Sequence, residues 1–130
     1  LVTMYSAEII PVQKVLTLYF EGIFDGDVQK LKAIFHPNAM LFGDIEGHVF
    51  YKSLDDYLVT VKNRRSPSEL EEKFEMEIIG IEIIGNNAIA KLHVPMLGYN
   101  YYDFLSLSKI NNEWLIVNKL YTHVKQWQTF

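Results

Sequence analysis

The chain has 130 residues, no cysteine, a formal net charge of −4 and 49% apolar residues. That length fits one domain, residues 1–130, with a sizeable core, and that apolar fraction excludes a disordered chain. The lack of cysteine excludes disulfides, thiol nucleophiles and thiolate metal sites, and an acidic balance without a basic patch argues against nucleic acid or an anionic membrane as main partner.

Leu1-Val2-Thr3 ahead of Met4 could be a cloning remnant, and no basic stretch followed by an apolar one marks a signal peptide. No apolar run is long enough to span a bilayer, since Glu82 interrupts the longest aliphatic stretch, so a cytoplasmic protein is the default expectation.

The amino-terminal part reads as helix. Val12, Val15, Leu16, Tyr19, Phe20 and Ile23 recur at helical spacing, after Pro11 in a first-turn position. Asp25-Gly26-Asp27 ends this helix and caps a second through Val28, Leu31, Ile34 and Phe35, which Pro37 stops. Short strands are expected at Met40 to Phe42 and Val49 to Tyr51, around Gly43-Asp44 and Gly47. Ser53 caps a third helix, with Asp56 giving a weak capping box. Asn63 to Ser68 is a polar loop and the best candidate for disorder. Arg64-Arg65, with Lys62, is the compact basic cluster and reads as a solvated helix end.

From Ile79 to Leu120, turn residues define hairpins. Asn86-Asn87, Gly98-Tyr99 and Asn111-Asn112 are expected loop residues. Counting back pairs Ile84 with Ile89, Met96 with Tyr101 and Leu107 with Ile116. Side chains alternate with period two, so one face collects Ile79, Ile81 and Ile83, then Ala90 through Met96 at alternate positions. It continues with Tyr101, Asp103, Leu105 and Leu107, and with Trp114, Ile116, Asn118 and Leu120. This face is apolar almost throughout, and its interruptions are Asp103 and Asn118. An acid and an amide on a core-facing surface must satisfy each other or receive something from outside. They point to a pocket more clearly than to a reaction.

The opposite face is mixed. Glu82 and Lys91 are expected directly across from each other, and Tyr102, Phe104, Val117 and Tyr121 make its centre too aromatic for a solvated surface. A homodimer through this face is expected. His93 and His123 fall there, as interface or surface histidines, and His48 lies at a hairpin edge.

Two helices, a short hairpin, a third helix and four long antiparallel strands make an α+β chain, with the helices available to cover the apolar face of a curved, mainly antiparallel sheet. At this point the sequence resembles the nuclear-transport-factor-2-like (NTF2-like, SnoaL-like) superfamily, shared with ketosteroid isomerase, scytalone dehydratase and polyketide cyclases, and more narrowly its "putative lumazine-binding" branch. The resemblance rests on Tyr19-Phe20-Glu21-Gly22, Gly26-Asp27, Phe35-His36-Pro37-Asn38-Ala39, Tyr102 to Leu107, Lys109 to Trp114 and Ile116 to Lys119. It covers nearly the whole chain, with Asn112 standing where the branch usually has glycine. It implies a cone with three amino-terminal helices on the concave sheet face, a pocket at the wide end and usually a dimer through the sheet.

Asp103 could act as a general base with a raised pKa, or be a structural aspartate bonded by Asn118, a tyrosine or backbone amides. His36, before Pro37, could shuttle protons or cap a helix end. Tyr19, Phe20, Phe35, Phe42, Tyr57 and Tyr101 could line a pocket for a flat ligand, with Asp103 and Asn118 as its polar groups. The four histidines are scattered without metal-ligand spacing, there is no Gly-x-Ser-x-Gly elbow and no phosphate loop, so no metal or cofactor is indicated. Three readings remain open. The chain is a small-molecule-binding protein, a cofactor-independent isomerase, dehydratase or cyclase with Asp103 as base, or a dimeric scaffold with a collapsed cavity.

Overall fold

The structure is a computed structural model and describes residues 7–125, so the expected remnant at Leu1-Val2-Thr3 lies outside the described residues. Helix α1 (Ile9–Asp25) is followed by α2 (Val28–Ile34), strands β1 (Phe35–Ile45) and β2 (His48–Ser53), and α3 (Leu54–Asn63). Strands β3 (Glu77–Ile84), β4 (Asn87–Met96), β5 (Tyr99–Ile110) and β6 (Glu113–His123) complete one sheet of order β2-β1-β6-β5-β4-β3. All neighbours are antiparallel except β1 and β6.

Local chemistry explains the helix ends. Gly26 adopts a left-handed φ of 66°, which closes α1, and the Asp27 side chain accepts from the Lys30 N–H at 3.0 Å to open α2. Ser53 accepts from the Asp56 N–H at 3.2 Å and opens α3. Phe35, expected in the second helix, begins β1 instead. The stretch after α3 is packed: Ser66 and Pro67 are buried, and the Ser68 N–H donates to the Phe24 carbonyl at 2.9 Å. That corrects the expectation of disorder there.

One face of the sheet, the inner face, shares a core with the helices. Leu92, Leu105, Leu107, Trp114 and Ile116 are buried with Leu16 and Ile23 of α1, Leu31 of α2, and Leu58 and Val61 of α3. Burying a leucine-sized side chain contributes roughly 1.5–3 kcal/mol, so this cluster supplies the main drive to fold.

Two hairpins are tighter than expected. Ile84 pairs with Asn87 across Gly85-Asn86, and Met96 pairs with Tyr99 across Leu97-Gly98. Each shift is two residues, which preserves the face of every side chain while changing its partner. Thus Glu82 faces Ile89, and Lys91 faces Gly80, in place of the expected Glu82–Lys91 pair. Leu97 holds an unusual φ of 55°, and its N–H is gripped by both Glu72 carboxylate oxygens at 3.0 and 3.1 Å. A bulge between Ile78 and Gly80 puts Ile78 against the core in place of Ile79.

The third hairpin forms as expected, with Asn111 and Asn112 both at positive φ and Leu107 opposite Ile116. A bulge then intervenes. Ser106 pairs with Asn118, Leu105 with Lys119 and Asp103 with Tyr121. One extra residue in a strand reverses the faces beyond it. Lys119 and Tyr121 therefore turn inward, while Asn118 and Leu120 turn outward.

Gly43 makes room for this arrangement. It pairs with Tyr121 across the parallel β1–β6 ladder, and a Cβ at Gly43 would lie 1.9 Å from the Tyr121 ring. A glycine inside a strand marks such a close approach. Gly43→Ala should force the ring out of place and cost about 1–3 kcal/mol by urea denaturation, the usual scale of overpacking. Most of that loss should disappear in a Tyr121→Ala background; an equal loss in both backgrounds would refute the contact.

Candidate functional site

Beyond the β6 bulge, the inner face turns from packed core into a cavity of about 180 Å³. Its polar lining is Lys52 of β2, Tyr57 and Thr60 of α3, Arg64 just after α3, Asp103 of β5 and Lys119 of β6. Ile45, Phe50, Met96, Tyr101 and Tyr121 form the remaining walls.

Asp103 is only 2% exposed. The fully buried Tyr19 hydroxyl reaches it from α1 and donates to Oδ2 at 2.6 Å. Burial pushes the Asp103 carboxyl above its ordinary range, while the Lys119 charge and the Tyr19 hydrogen bond pull it partly back. Burial and the adjacent Asp103 charge together hold the Tyr19 hydroxyl well above the ordinary tyrosine value, so Tyr19 stays a neutral donor. Burial likewise raises Tyr101 to about 12, and raises Tyr121 against the opposing influence of Lys119.

Lys119 is 4% exposed, an uncommon setting for a lysine. Its Nζ donates to the Tyr57 hydroxyl at 3.2 Å and lies 4.5 Å from the Tyr57 ring centroid. The Tyr19 and Tyr121 ring centroids are each 5.2 Å away. Ring faces attract a cation, so these tyrosines replace part of the hydration that Lys119 gives up. A carboxyl group, an ammonium and phenol hydroxyls thus stand together at a low-dielectric surface. Such a set can bind a carbonyl or charged oxygen, or move a proton.

Of the residues singled out from the sequence, Tyr57, Tyr101 and Asp103 line the cavity, and Tyr19 stands behind Asp103. Phe20 and Phe35 are buried in the core instead. Phe20 packs on Phe74, and Phe35 between Tyr19 and Tyr57. Phe42 is 41% exposed on the outer face, in tilted ring contact with Tyr51 at a centroid distance of 4.6 Å. Asn118 is also outward, opposite Ser106 and Met40, because of the bulge. Its expected bond to Asp103 is replaced by that of Tyr19, with the Lys119 charge acting on the carboxyl from nearby. His36 does not line the cavity; its Nδ1 accepts from the Asn38 N–H at 3.0 Å. His93 is buried and stacked on Tyr102, with Nε2 and the Asn100 Oδ1 2.6 Å apart.

Sequence reasoning missed Lys119, Tyr121, Lys52 and Arg64. For the first two a signal existed: Gly43 inside a strand-like run, read as a turn, marks the place where Tyr121 presses on the backbone. Among the described residues, no group of three or more His, Cys, Asp or Glu side chains could hold a metal ion, and no helix is long and apolar enough to cross a membrane.

Known structures with this architecture include an NTF2-like protein of unknown function from Shewanella baltica OS155, 25% identical, with a TM-score of 0.81 over 96% of this chain and 100% of that one. Another, from Methylobacillus flagellatus KT, is 24% identical with a TM-score of 0.80, covering 93% and 96% of the two chains. A protein from Cladobotryum sp named Aldolase FrzH is 28% identical over 105 residues, 79% of this chain and 81% of its own. The family described as "Putative lumazine-binding" matches residues 7–122, and with the architecture above this chain belongs to that family within the NTF2-like superfamily.

Proposed function

We propose that the protein binds a small, partly apolar, ring-bearing molecule in the cavity over Asp103 and Lys119. The observation that carries this reading is a cavity of about 180 Å³ whose floor is a buried carboxyl group beside a buried ammonium. A cavity of about 150 Å³ holds a benzene-sized ring. Phe50, Tyr101 and Tyr121 offer flat walls to such a ring, and neutral tyrosine hydroxyls can orient its oxygen substituents. The description of the family points to the same ligand class, a flat heterocycle. A cone collapsed by its own aromatics fits less well, because Phe20 and Phe35 fill the core and leave this space clear.

A second reading, acid–base turnover, is favoured by one observation. Asp103 has two proton-bearing neighbours, Tyr19 and Lys119, where the sequence supplied no convincing acid. Asp103 would remove a proton beside a substrate carbonyl, and Lys119 with Tyr57 would stabilise the resulting oxyanion. The name of the Cladobotryum relative lends this reading weight. His36, which accepts from the Asn38 N–H and lies outside the cavity lining, has no part in it.

The outer face supports pairing of two copies. Tyr51, Phe42, Leu120 and Phe104 are cross-strand neighbours in one row over β2, β1, β6 and β5, and all are at least 39% exposed. A continuous apolar row of this kind suits a self-complementary two-fold contact.

A thermal-shift screen with pteridines, flavins, steroids and aromatic acids should find a saturable rise in Tm. A ligand specific for the native state adds about 2.7 kcal/mol at a hundred times its Kd. Asp103→Ala and Lys119→Met should abolish the rise; silence across all chemotypes would favour the scaffold instead.

Because the folded state holds the Asp103 proton to higher pH than the unfolded chain, where aspartate titrates near pH 4, its contribution to stability is most favourable below about pH 4. The contribution falls as pH rises through the folded pKa. The Tm difference between the native protein and Asp103→Asn should therefore shrink or reverse from about pH 4 towards neutrality. A pH-independent difference would mean that Asp103 ionises as it does unfolded.

Sedimentation should show a dimer that Phe104→Glu or Leu120→Glu converts to monomer, with Tyr121→Glu acting on the cavity instead. A Leu120→Glu variant that remains dimeric would exclude this face.

A further inference from the structure

The basic pair after α3 divides. Arg65 points to solvent, with Nε 3.7 Å from the Glu69 carboxylate and both side chains more than 60% exposed. Arg64 takes the C-cap position with an extended backbone, φ −91° and ψ 157°, and its N–H donates to the Thr60 carbonyl at 3.2 Å. That turn of the chain places the Arg64 side chain in the cavity lining. Its Nη2 is buried and has no hydrogen-bond partner among the described residues. A buried donor left unsatisfied is costly, and more so when charged, so such an atom calls for a partner that arrives from elsewhere.

The charges around the cavity say what that partner is. Lys52, Arg64 and Lys119 line it with one carboxylate, Asp103. Asp103 already accepts from Tyr19, Lys119 donates to Tyr57, and Lys52 donates to the Thr60 Oγ1. Each of the other charged heads thus has a partner, and Arg64 keeps a free donor in a site with excess positive charge. The Arg64 charge also acts on Tyr19, Tyr101 and Tyr121, easing the anionic form of each, so its field reaches across the cavity. Guanidinium groups match carboxylates through parallel N–H donors, and Phe50, Met96 and Tyr101 supply apolar walls for the rest of a ligand.

We propose that the cavity takes a single-ring aromatic carboxylate, its carboxylate held by Arg64 and its ring lodged among Phe50, Met96 and Tyr101. This rests on the ligand-binding reading above and names its ligand class. Lys52 and Lys119 contribute charge, and Arg64 provides the directional contact.

The test is calorimetric titration of the full chain with matched pairs: benzoate and benzamide, 4-hydroxybenzoate and 4-hydroxybenzamide, phenylacetate and phenylacetamide. Each acid should bind at least tenfold more tightly than its amide at neutral pH. Arg64→Gln should erase that preference by weakening the acid about tenfold or more while leaving the amide unchanged. Arg64→Lys, which keeps the charge and loses the fork, should lose most of it, and an undiminished preference in that variant overturns the assignment if the glutamine variant fails to fold. Acids and amides binding alike, or an acid preference that survives both variants, would overturn the carboxylate assignment and leave ligand binding intact. If neither these compounds nor the wider ring panel binds, the ligand-binding reading itself falls, and this assignment with it.

Discussion

A carboxyl group almost wholly removed from water has to be compensated by its surroundings, and the cavity is organised around how Asp103 is compensated. Its neighbours come from three other elements. Tyr19 reaches it from α1, Lys119 faces it from β6, and Tyr57 of α3 in turn accepts from Lys119. An unpaired charge at such a depth costs several kcal/mol, so removing any one of these groups exposes the rest to that penalty. The same contacts tie α1 and α3 to the far half of the sheet, so the polar cluster positions the helices as well as furnishing the site.

The β6 bulge divides the inner face in two. Before it, Trp114 and Ile116 continue the hydrophobic core alongside Leu107; beyond it, Lys119 and Tyr121 carry the polar lining. A strand that kept strict alternation would have presented Asn118 and Leu120 to Asp103, an amide and an aliphatic chain with no charge to offer. The inserted residue exchanges them for an ammonium and a phenol, and sends Leu120 to the outer face, where it completes the apolar row with Phe42 and Phe104. One irregularity thus shapes both the cavity and the surface available for self-association. Gly43 on the neighbouring strand is its counterpart, since only a residue without Cβ leaves space for the Tyr121 ring.

Local rules read well wherever a local cause is sufficient. Asp27 and Ser53 cap helices because a side-chain oxygen can meet nearby free N–H groups, and Asn111-Asn112 makes a turn because asparagine tolerates positive φ. Asp103 was legible as a buried acid because β5 alternates regularly from Asp103 through Leu107. Tyr101 was legible as a cavity residue by the same periodicity, and Tyr57 only as an aromatic side chain of the third helix. Phe42 and Asn118 were misplaced because their side depends on registers with strands distant in sequence, and period-two counting carries no information about a bulge. Arg64 read as a solvated charge because nothing local distinguishes it from Arg65; the turn after α3, held by packing of Ser66 and Pro67, separates them.

The sequence alone determined the element order, the caps, the third hairpin, the apolar inner face and the presence of an acid within it. These follow from alternation, turn chemistry and capping, which act over a few residues. The tertiary structure decided which groups meet that acid, that Lys119 and Tyr121 enter the cavity while Asn118 leaves it, and that one arginine of an adjacent pair faces inward. Those outcomes depend on strand register and helix-end geometry, where a displacement of one residue costs little locally and reverses the chemistry of an entire face.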